Sequence, residues 1–268
     1  MYLEPISPQF DYSVVITTRN NVDELTMTMN SILKELPSNS QIIIVDGSDE
    51  PLTKEWIVDN YKTKEIPIVY TLDNKTGVYD AMNVGLIKSV GNWIVMMTAG
   101  DYFVSGAKSL LESIRKLDKD VVVFAQNVVD QSGKLAFSYF PTPVSIWPHQ
   151  SVILKRIVHE KMGLYPKKYR FVSEQYLFAE VRKEMSYELR EEILTVFCLG
   201  GITSNTSLSM SKDVFAIRRK LGHSFVTSFV RAFIYPPIRY MLERNRFLLP
   251  VSMAIKRAIF PNYRSPTL

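Results

Sequence analysis

The sequence predicts an α/β fold in which helices flank a mostly parallel central sheet. Short apolar, β-branched runs alternate with longer segments of helical spacing through the first half of the chain. The apolar runs lack the polar alternation of half-exposed strands, as is typical of strands buried on both faces. With 268 residues, 46% of them apolar and 22% charged, the chain can bury a substantial core and is unlike a disordered protein.

The first strands and helix form a βαβ unit. Strands are expected at residues 12–18 (YSVVITT) and 41–47 (QIIIVDG), because both runs are continuously apolar and stop at turn-forming residues. The segment between them, residues 22–33, places Leu25 and Met29 on one helical face.

The same alternation continues to residue 128. Pro51 suits the first turn of a helix, and Ser48 and Asp49 before it are potential caps. The further predicted elements are, in order, a helix at 52–61, a strand at 66–72, a helix at 78–90, a strand at 93–98, a helix at 107–117 and a strand at 120–128.

The alternation loosens in the second half of the chain. In open parallel sheets, ligands bind outside the carboxyl ends of the strands. We therefore expect this half to build a wall over a crevice at that edge, within a catalytic domain of residues 1–211. Its predicted elements are strands at 134–139, 149–156 and 191–199 and a helix at 173–184.

Polar turns follow the first, second and fourth predicted strands, and two of them carry an acid, Asp46 or Asp101, directly at the strand end. Either acid alone more often forms a turn or caps a helix. The chain has neither a Gly-x-Gly-x-x-Gly turn after the first strand nor a Gly-x-x-x-x-Gly-Lys-Ser/Thr loop. A nucleoside diphosphate can still bind if a divalent metal bridges its phosphates to carboxylates. We expect Asp101 to hold such a metal and Asp46 to accept hydrogen bonds from a base or ribose.

Several segments, taken in order, carry a family resemblance. They are SVVITTRNN with IIIVDGSDE, then GVYDAMNVGLIKSVGNWIVMMTAGDYF, HQSVILKR and GGITS, within residues 12–204. The chain resembles the GT-A glycosyltransferases, specifically the large inverting family 2 of bacterial polysaccharide synthesis. The resemblance implies a GT-A, Rossmann-like fold, a nucleotide-sugar donor and Mg²⁺ or Mn²⁺ as cofactor.

The resemblance also implies a set of substrate-binding residues. His149 is expected to contact phosphate, metal or acceptor, although an isolated histidine is usually structural, and Tyr79 also fits simple core packing. Zinc is not expected, because the three histidines are widely spaced and Cys198 is the single cysteine. The implied residues are Thr17, Arg19 and Asp46 around the base and ribose, Tyr79, Asp80 and Asn83 along the sugar-nucleotide pocket, and the pair His149 and Gln150.

Asp101 matches the final acid of the family's metal-binding signature. Members commonly carry Asp-x-Asp-Asp at this point, whereas this chain has Thr98, Ala99, Gly100 and Asp101. Metal binding is therefore expected to depend on the one acid that remains.

Glu174 is the expected general base. Inversion at an anomeric carbon requires a base that takes the proton of the acceptor hydroxyl. In the family this is an acid at the start of a helix beyond the metal motif, and FVSEQYLFAEV offers Glu174 there. Because a helix N-terminus favours the charged form of a carboxylate, we expect it to be ionised. A simple helix-start acid is the alternative.

The positive charge of the chain is concentrated at its end. Residues 212–268 contain eleven Lys and Arg against two acids, a formal +9, which leaves 21 bases and 25 acids in residues 1–211. The tail has no clean span of about 20 apolar residues, the length that a transmembrane helix needs, and its longest apolar stretch is interrupted by Arg231 and the pair Pro236 and Pro237. We expect a basic, amphipathic helical tail that lies on the inner membrane surface. Packing of these helices on the catalytic domain is the alternative, and no nucleic-acid-binding module is recognised.

The resemblance, together with the basic tail, implies an inverting glycosyltransferase that moves a sugar from a UDP-sugar to a lipid-linked oligosaccharide in surface polysaccharide synthesis. No secretory signal is recognised, so we expect a cytoplasmic enzyme, peripheral on the inner face of the membrane. A sugar nucleotidyltransferase and a non-catalytic, membrane-associated scaffold of the same fold are the alternatives.

Overall fold

The computed structural model describes residues 1–50, 52–61, 65–143, 145–199, 208–220, 222–235 and 263–264. The helices are α1 Val22–Glu35, α2 Leu52–Tyr61, α3 Val78–Lys88, α4 Ala107–Ile114, α5 Arg156–Met162, α6 Ser173–Glu184, α7 Leu208–Lys220 and α8 Phe225–Phe229, which a π-helical turn, Val230–Ile234, follows. The strands are β1 Phe10–Thr18, β2 Ser40–Asp46, β3 Ile68–Leu72, β4 Gly91–Thr98, β5 Tyr102–Phe103, β6 Val121–Val129, β7 Leu135–Tyr139, β8 Val152–Lys155, β9 Tyr187–Cys198 and β10 Tyr263–Arg264. This mixture confirms the predicted α/β fold class.

The described strands form one sheet in the order β10-β7-β6-β8-β4-β1-β2-β3, with β9 beside β6 and β5 beside β9. The four strands β3, β2, β1 and β4 run parallel, as the βαβ alternation predicts. Beyond them the sheet is mixed, because β8 enters between β4 and β6 antiparallel to both, and β7 returns from β6 as a hairpin. The parallel arrangement is thus confined to the first four strands and the pair β6 and β9.

Helices cover both faces of the parallel strands. Val14 and Ile16 of β1 pack in the core cluster that contains residues of α1 and α4, whereas Val15 packs in the cluster that contains residues of α3, α5 and α6. All three side chains are fully buried. Burial on both faces explains why these strands show no polar alternation in the sequence.

Helix α3 lies directly on the sheet because Gly85 lacks a side chain. A Cβ at this position would lie 2.2 Å from Cγ1 of Val15, so a larger residue would have to displace this buried side chain or the helix. This close contact lets α3, which carries Tyr79 and Asp80, pack tightly against β1 and β2.

Several element boundaries differ from the expectation. The strand predicted at 149–156 divides into a 3₁₀ turn, His149–Ser151, then β8 and α5. The turn forms because the Ser151 amide donates to the carbonyl oxygen of Pro148 (2.9 Å). The predicted motif GGITS lies outside the described residues.

The tail begins with α7, which spans the predicted boundary at residue 211. The carboxylate of Asp213 accepts hydrogen bonds from the backbone amides of Arg170 (2.8 Å) and Phe171 (3.3 Å). Ile217 is buried in a small cluster with Tyr169 and other residues of the same loop. This part of the tail therefore packs on the catalytic domain; residues 236–262 and 265–268 lie outside the described residues.

Candidate active site

The polar turns predicted to share an edge lie side by side at the carboxyl ends of the parallel strands. In the registers of the sheet, Thr18 of β1 is opposite Asp46 of β2, and Thr17 is opposite Thr98 of β4. The hydroxyl groups of Thr17 and Thr18 are buried and have no hydrogen-bond partner in the described part of the protein. Buried hydroxyls of this kind destabilise the fold unless a ligand or water forms a hydrogen bond with them.

Asp46 is almost completely buried at the end of β2. One carboxylate oxygen accepts from the amide of Ser48 (2.8 Å) and the other from the hydroxyl of Tyr70 (2.8 Å). Burial, together with this hydrogen bond, raises the pKa of Tyr70, so its hydroxyl remains a donor. Asp46 thus shapes the turn after β2, and Tyr70 is a neighbour that the sequence patterns did not predict.

Arg19 is exposed at the rim of this edge. Its guanidinium lies 3.5 Å from the carboxylate of Asp49, which also pairs with the ammonium of Lys75 at 2.8 Å. The hydrogen bond from Lys75 is the main reason why the pKa of Asp49 falls to about 2. Exposed ion pairs are weak, so an anionic ligand can replace Asp49 as the partner of Arg19 and Lys75.

Asp101 lies at the end of the tight turn that follows β4, and only 3% of it is exposed. Its amide donates to the carbonyl oxygen of Thr98 (3.0 Å), and its carbonyl oxygen accepts from the hydroxyl of Thr28 (2.7 Å). Its carboxylate accepts one hydrogen bond from the side-chain amide of Gln150 (2.9 Å) and one from the backbone amide of Cys198 (3.2 Å). Gln150 and Cys198 therefore fix the carboxylate in position, and Thr28 fixes the backbone that carries it.

The charge of Asp101 is not balanced by a base among the described residues. Desolvation, with a smaller contribution from the nearby carboxylate of Glu24, raises the pKa of this carboxyl to about 7 against the lowering effect of its hydrogen bonds. No group of three or more His, Cys, Asp or Glu within the described ranges could hold a metal without other ligands. However, Mg²⁺ typically binds one or two protein carboxylates together with substrate phosphates and water. A fixed, desolvated carboxylate that lacks a cationic partner fits that donor set.

The pair His149 and Gln150 reaches two different parts of the site. The oxygen of the Gln150 side chain accepts from the amide of Gln126 (3.2 Å), which orients its NH₂ group toward Asp101. The His149 ring nitrogen Nε2 lies 2.8 Å from the hydroxyl oxygen of Tyr165. Desolvation lowers the pKa of His149 to about 3, so this imidazole is neutral.

Glu174 lies in the first turn of α6, against Tyr79 of α3. The Tyr79 hydroxyl is within hydrogen-bonding reach of the Glu174 carboxylate and of the carbonyl oxygen of Phe171 (3.0 Å). Desolvation raises the pKa of Glu174 to about 7, against the lowering effect of the Tyr79 hydrogen bond. The expectation of a fully ionised acid needs correction, because loss of hydration outweighs the helix N-terminus.

Asp80 and Asn83 contact the loop that precedes α6. The Asp80 carboxylate pairs with Lys167, and hydrogen bonds from this and other side chains outweigh the effect of burial and lower its pKa. The Asn83 side chain donates to the carbonyl oxygen of Tyr165 and accepts from its amide, both at 2.9 Å. Both residues therefore hold this loop beside Tyr79 and Glu174, and their contact with a donor stays a prediction.

In comparisons with known proteins, a model described as Glycosyl transferase family 2 matches residues 13–174, more than half of the chain. An uncharacterised glycosyltransferase of Rickettsia prowazekii (strain Madrid E) is 23% identical over 220 residues, which cover 75% of this chain and 68% of that protein. A PGL/p-HBAD biosynthesis glycosyltransferase of Mycobacterium bovis (strain BCG / Pasteur 1173P2) is 27% identical over 92 residues, which cover 34% of this chain and 35% of that protein.

Solved structures share the fold at low sequence identity. TarS of S. aureus superposes with a TM-score of 0.62 at 14% identity, over 84% of this chain and 44% of TarS. The mannosyltransferase PcManGT from Pyrobaculum calidifontis, solved with GDP-Man and Mn²⁺, has a TM-score of 0.61 at 13% identity, over 96% of this chain and 77% of PcManGT. At these identities the likeness establishes the fold alone, and the present chain spans less than half of TarS.

Proposed function

The chain belongs to glycosyl transferase family 2 and has the GT-A fold, and on this premise we propose that it transfers a sugar from a UDP-sugar to a lipid-linked oligosaccharide, with inversion, in surface polysaccharide synthesis. The observation that carries the proposal is Asp101, a buried carboxylate without a basic partner among the described residues, at the sheet edge where ligands of such folds bind. Structures of the same fold were solved with UDP-GlcNAc and with GDP-Man.

Asp101 is the proposed protein ligand for Mg²⁺ or Mn²⁺. Gln150 and the backbone of Cys198 hold its carboxylate in one orientation, so little reorganisation is needed when a cation arrives. A divalent cation bound there would neutralise the charge that develops on the leaving diphosphate.

The proposed nucleoside site lies at the ends of β1 and β2. The buried, unpartnered hydroxyl of Thr17 and the fixed carboxylate of Asp46 offer hydrogen-bonding groups for a base or ribose. Arg19 and Lys75 meet at the rim, where positive charge can attract an anionic donor.

Glu174 is the proposed general base. As the acceptor oxygen forms its bond to the anomeric carbon, the bond from that carbon to the diphosphate oxygen breaks, and the acceptor proton passes to Glu174. A base is most effective when its pKa is near the working pH, and the raised pKa of Glu174, about 7, meets that condition. Its partial exposure leaves room for an acceptor hydroxyl to approach.

We also propose that the tail brings the enzyme to the inner membrane surface, where a lipid-linked acceptor would be anchored. In the described residues no helix is both long and apolar enough to cross a bilayer. Helix α8 and the turn after it expose large apolar side chains, among them Phe225 (61% exposed) and Val226 (68% exposed), close in sequence to the basic end of α7. This combination is typical of a segment that lies in the membrane interface.

The test is a transfer assay with the full chain, Mn²⁺, lipid-linked acceptors and a panel of nucleotide sugars that includes UDP- and GDP-linked donors. We expect mass spectrometry to detect an acceptor that is heavier by one sugar, with release of the nucleoside diphosphate. Release of pyrophosphate from a nucleoside triphosphate and a sugar phosphate would instead identify a sugar nucleotidyltransferase. Failure to bind any donor would indicate a non-catalytic scaffold.

A further inference from the structure

Glu24 occupies the space above Gly100 in the turn that leads to Asp101. Gly100 has a φ of +101°, and a Cβ built on it would lie 3.4 Å from the carboxylate carbon of Glu24 and 3.5 Å from one of its oxygens. The Gly100 amide also donates to the carbonyl oxygen of Glu24 (3.2 Å). An acidic side chain at residue 100 would therefore project toward the place that the Glu24 carboxylate already occupies.

The backbone of Glu24 is fixed, whereas its carboxylate is available. The amide of Glu24 donates to the side chain of Asn21, which caps α1 (3.0 Å). The side chain is exposed, and its carboxylate has neither an ion pair nor a hydrogen bond within the described part of the chain. Two carboxylates, Glu24 and Asp101, thus lie beside one turn without a base between them. Such an arrangement is unfavourable unless a cation offsets the repulsion.

We propose that Glu24 is the second protein carboxylate of the cation site, supplied by α1 in place of an acid in the turn itself. The inference rests on the proposed function, because it assumes that a divalent cation bridges Asp101 and a nucleoside diphosphate. One or two carboxylates with phosphate oxygens and water form a common donor set for Mg²⁺. The buried carboxylate of Asp101 and the exposed carboxylate of Glu24 would be the two protein ligands of such a cation.

The competing explanation for Glu24 is electrostatic, because an acid in the first turn of a helix interacts favourably with the helix dipole. The chain offers a matched control for this effect. Asp23 is also exposed and also lies in the first turn of α1, next to Glu24. Asp23→Asn and Glu24→Gln remove the same charge from the same helix end, but only Glu24→Gln removes the carboxylate above Gly100.

The experiment measures Mn²⁺ binding by the full chain in the presence of UDP, and separately of GDP, from the electron paramagnetic resonance signal of free Mn²⁺. We expect Glu24→Gln to weaken Mn²⁺ binding about tenfold, equivalent to about 1.4 kcal/mol, and Asp23→Asn to change it less than about twofold. Thermal melting verifies that each variant is folded. We expect both variants to fold, because both side chains are exposed.

Two results would overturn the inference, and they can be told apart. Unchanged Mn²⁺ binding by Glu24→Gln, together with its loss in Asp101→Asn, would remove Glu24 from the site and leave the proposed function in place. Bound nucleotide without bound Mn²⁺ in the wild-type chain would overturn both the role of Glu24 and the cation-dependent mechanism.

Discussion

The side-chain amide of Gln150 donates a 2.9 Å hydrogen bond to the carboxylate of Asp101. Gln150 lies in the 3₁₀ turn before β8, and Asp101 lies in the turn after β4. They meet because β8 inserts antiparallel beside β4. Gln126 on β6 completes the arrangement by donating to the oxygen of Gln150. The proposed metal ligand is therefore held by the mixed half of the sheet, although it belongs to the parallel half.

Asp101→Asn should abolish metal-dependent transfer. The amide has nearly the shape of the carboxylate but lacks the charge that a divalent cation needs, so we expect the rate to fall by about 100-fold or more. Donor turnover at saturating Mn²⁺ measures the effect. Asp59→Asn, an exposed substitution on α2, is the control and should leave the rate unchanged. Full metal-dependent turnover by Asp101→Asn would exclude Asp101 as the ligand.

Glu174 should control the pH dependence of transfer. Because its pKa is raised to about 7, the fraction of active base increases as the pH rises through neutrality. At saturating Mn²⁺, which would keep Asp101 ionised, we expect kcat/KM to rise with pH with an apparent pKa of about 7. Glu174→Gln should lower it by about 10²- to 10⁴-fold and remove this dependence. Glu184→Gln, at the other end of α6, should retain the wild-type profile. A wild-type pH profile in Glu174→Gln would show that another residue is the general base.

Tyr79→Phe should shift the pH profile without abolishing activity. The Tyr79 hydroxyl donates to Glu174 and lowers its pKa, so loss of the hydroxyl should raise that pKa. We expect a slower rate at pH 7, largely recovered at higher pH, in a full profile of kcat/KM. A rate that is equally reduced at every pH would instead indicate a purely structural role for Tyr79.

Glu174 should also make the fold less stable as the pH rises. Its pKa in the folded chain, about 7, is above the unfolded value of 4.5, so the folded state retains the proton more tightly. Stability from this group is complete below pH 4.5 and is lost as the pH rises toward 7. Glu174→Gln should therefore melt at a higher temperature than the wild type at pH 8, with a difference that disappears by about pH 4. Equal melting temperatures at pH 8 would contradict the desolvation of Glu174.

The exposed apolar side chains of α8 should promote membrane binding. Replacing Phe225 and Val226 by serine removes two apolar groups from the proposed interfacial segment. We expect the full chain, but not this double variant, to sediment with vesicles that contain anionic lipid, and neither to sediment with purely zwitterionic vesicles. Equal sedimentation of both proteins would show that these residues do not contact the bilayer.

The sequence predicts the parallel half of the molecule well, because its strands are buried on both faces and produce continuous apolar runs that end in polar turns. Asp46 and Asp101 could be located from those runs alone. The antiparallel direction of β8 could not be predicted, because a short apolar strand has the same sequence pattern in either direction. The turn at His149–Ser151 was missed for a related reason, since HQSVILKR reads as one strand until Pro148 and Ser151 are seen to close a turn.

The contacts of the site depend on tertiary structure that spacing does not encode. Glu24 is seventy-seven positions from Asp101 and looks like an ordinary acid at a helix start, so only the fold shows that it lies above Gly100. The raised pKa of Glu174 likewise results from its desolvation in the folded chain, whereas its place at the start of α6 predicts the opposite effect. Asn83 was predicted beside a donor, and the fold additionally shows both of its polar groups bonded to the backbone of Tyr165.

The central claim is that Asp101 binds the divalent cation that accompanies a nucleoside diphosphate. A crystal structure of the full chain with Mn²⁺ and UDP or GDP, with anomalous scattering used to locate manganese, tests it most directly. We predict a manganese peak within about 2.0–2.4 Å of an Asp101 carboxylate oxygen, with the diphosphate at the carboxyl ends of β1 and β4. A bound nucleotide whose manganese lies away from Asp101, or that binds elsewhere on the protein, would contradict the claim.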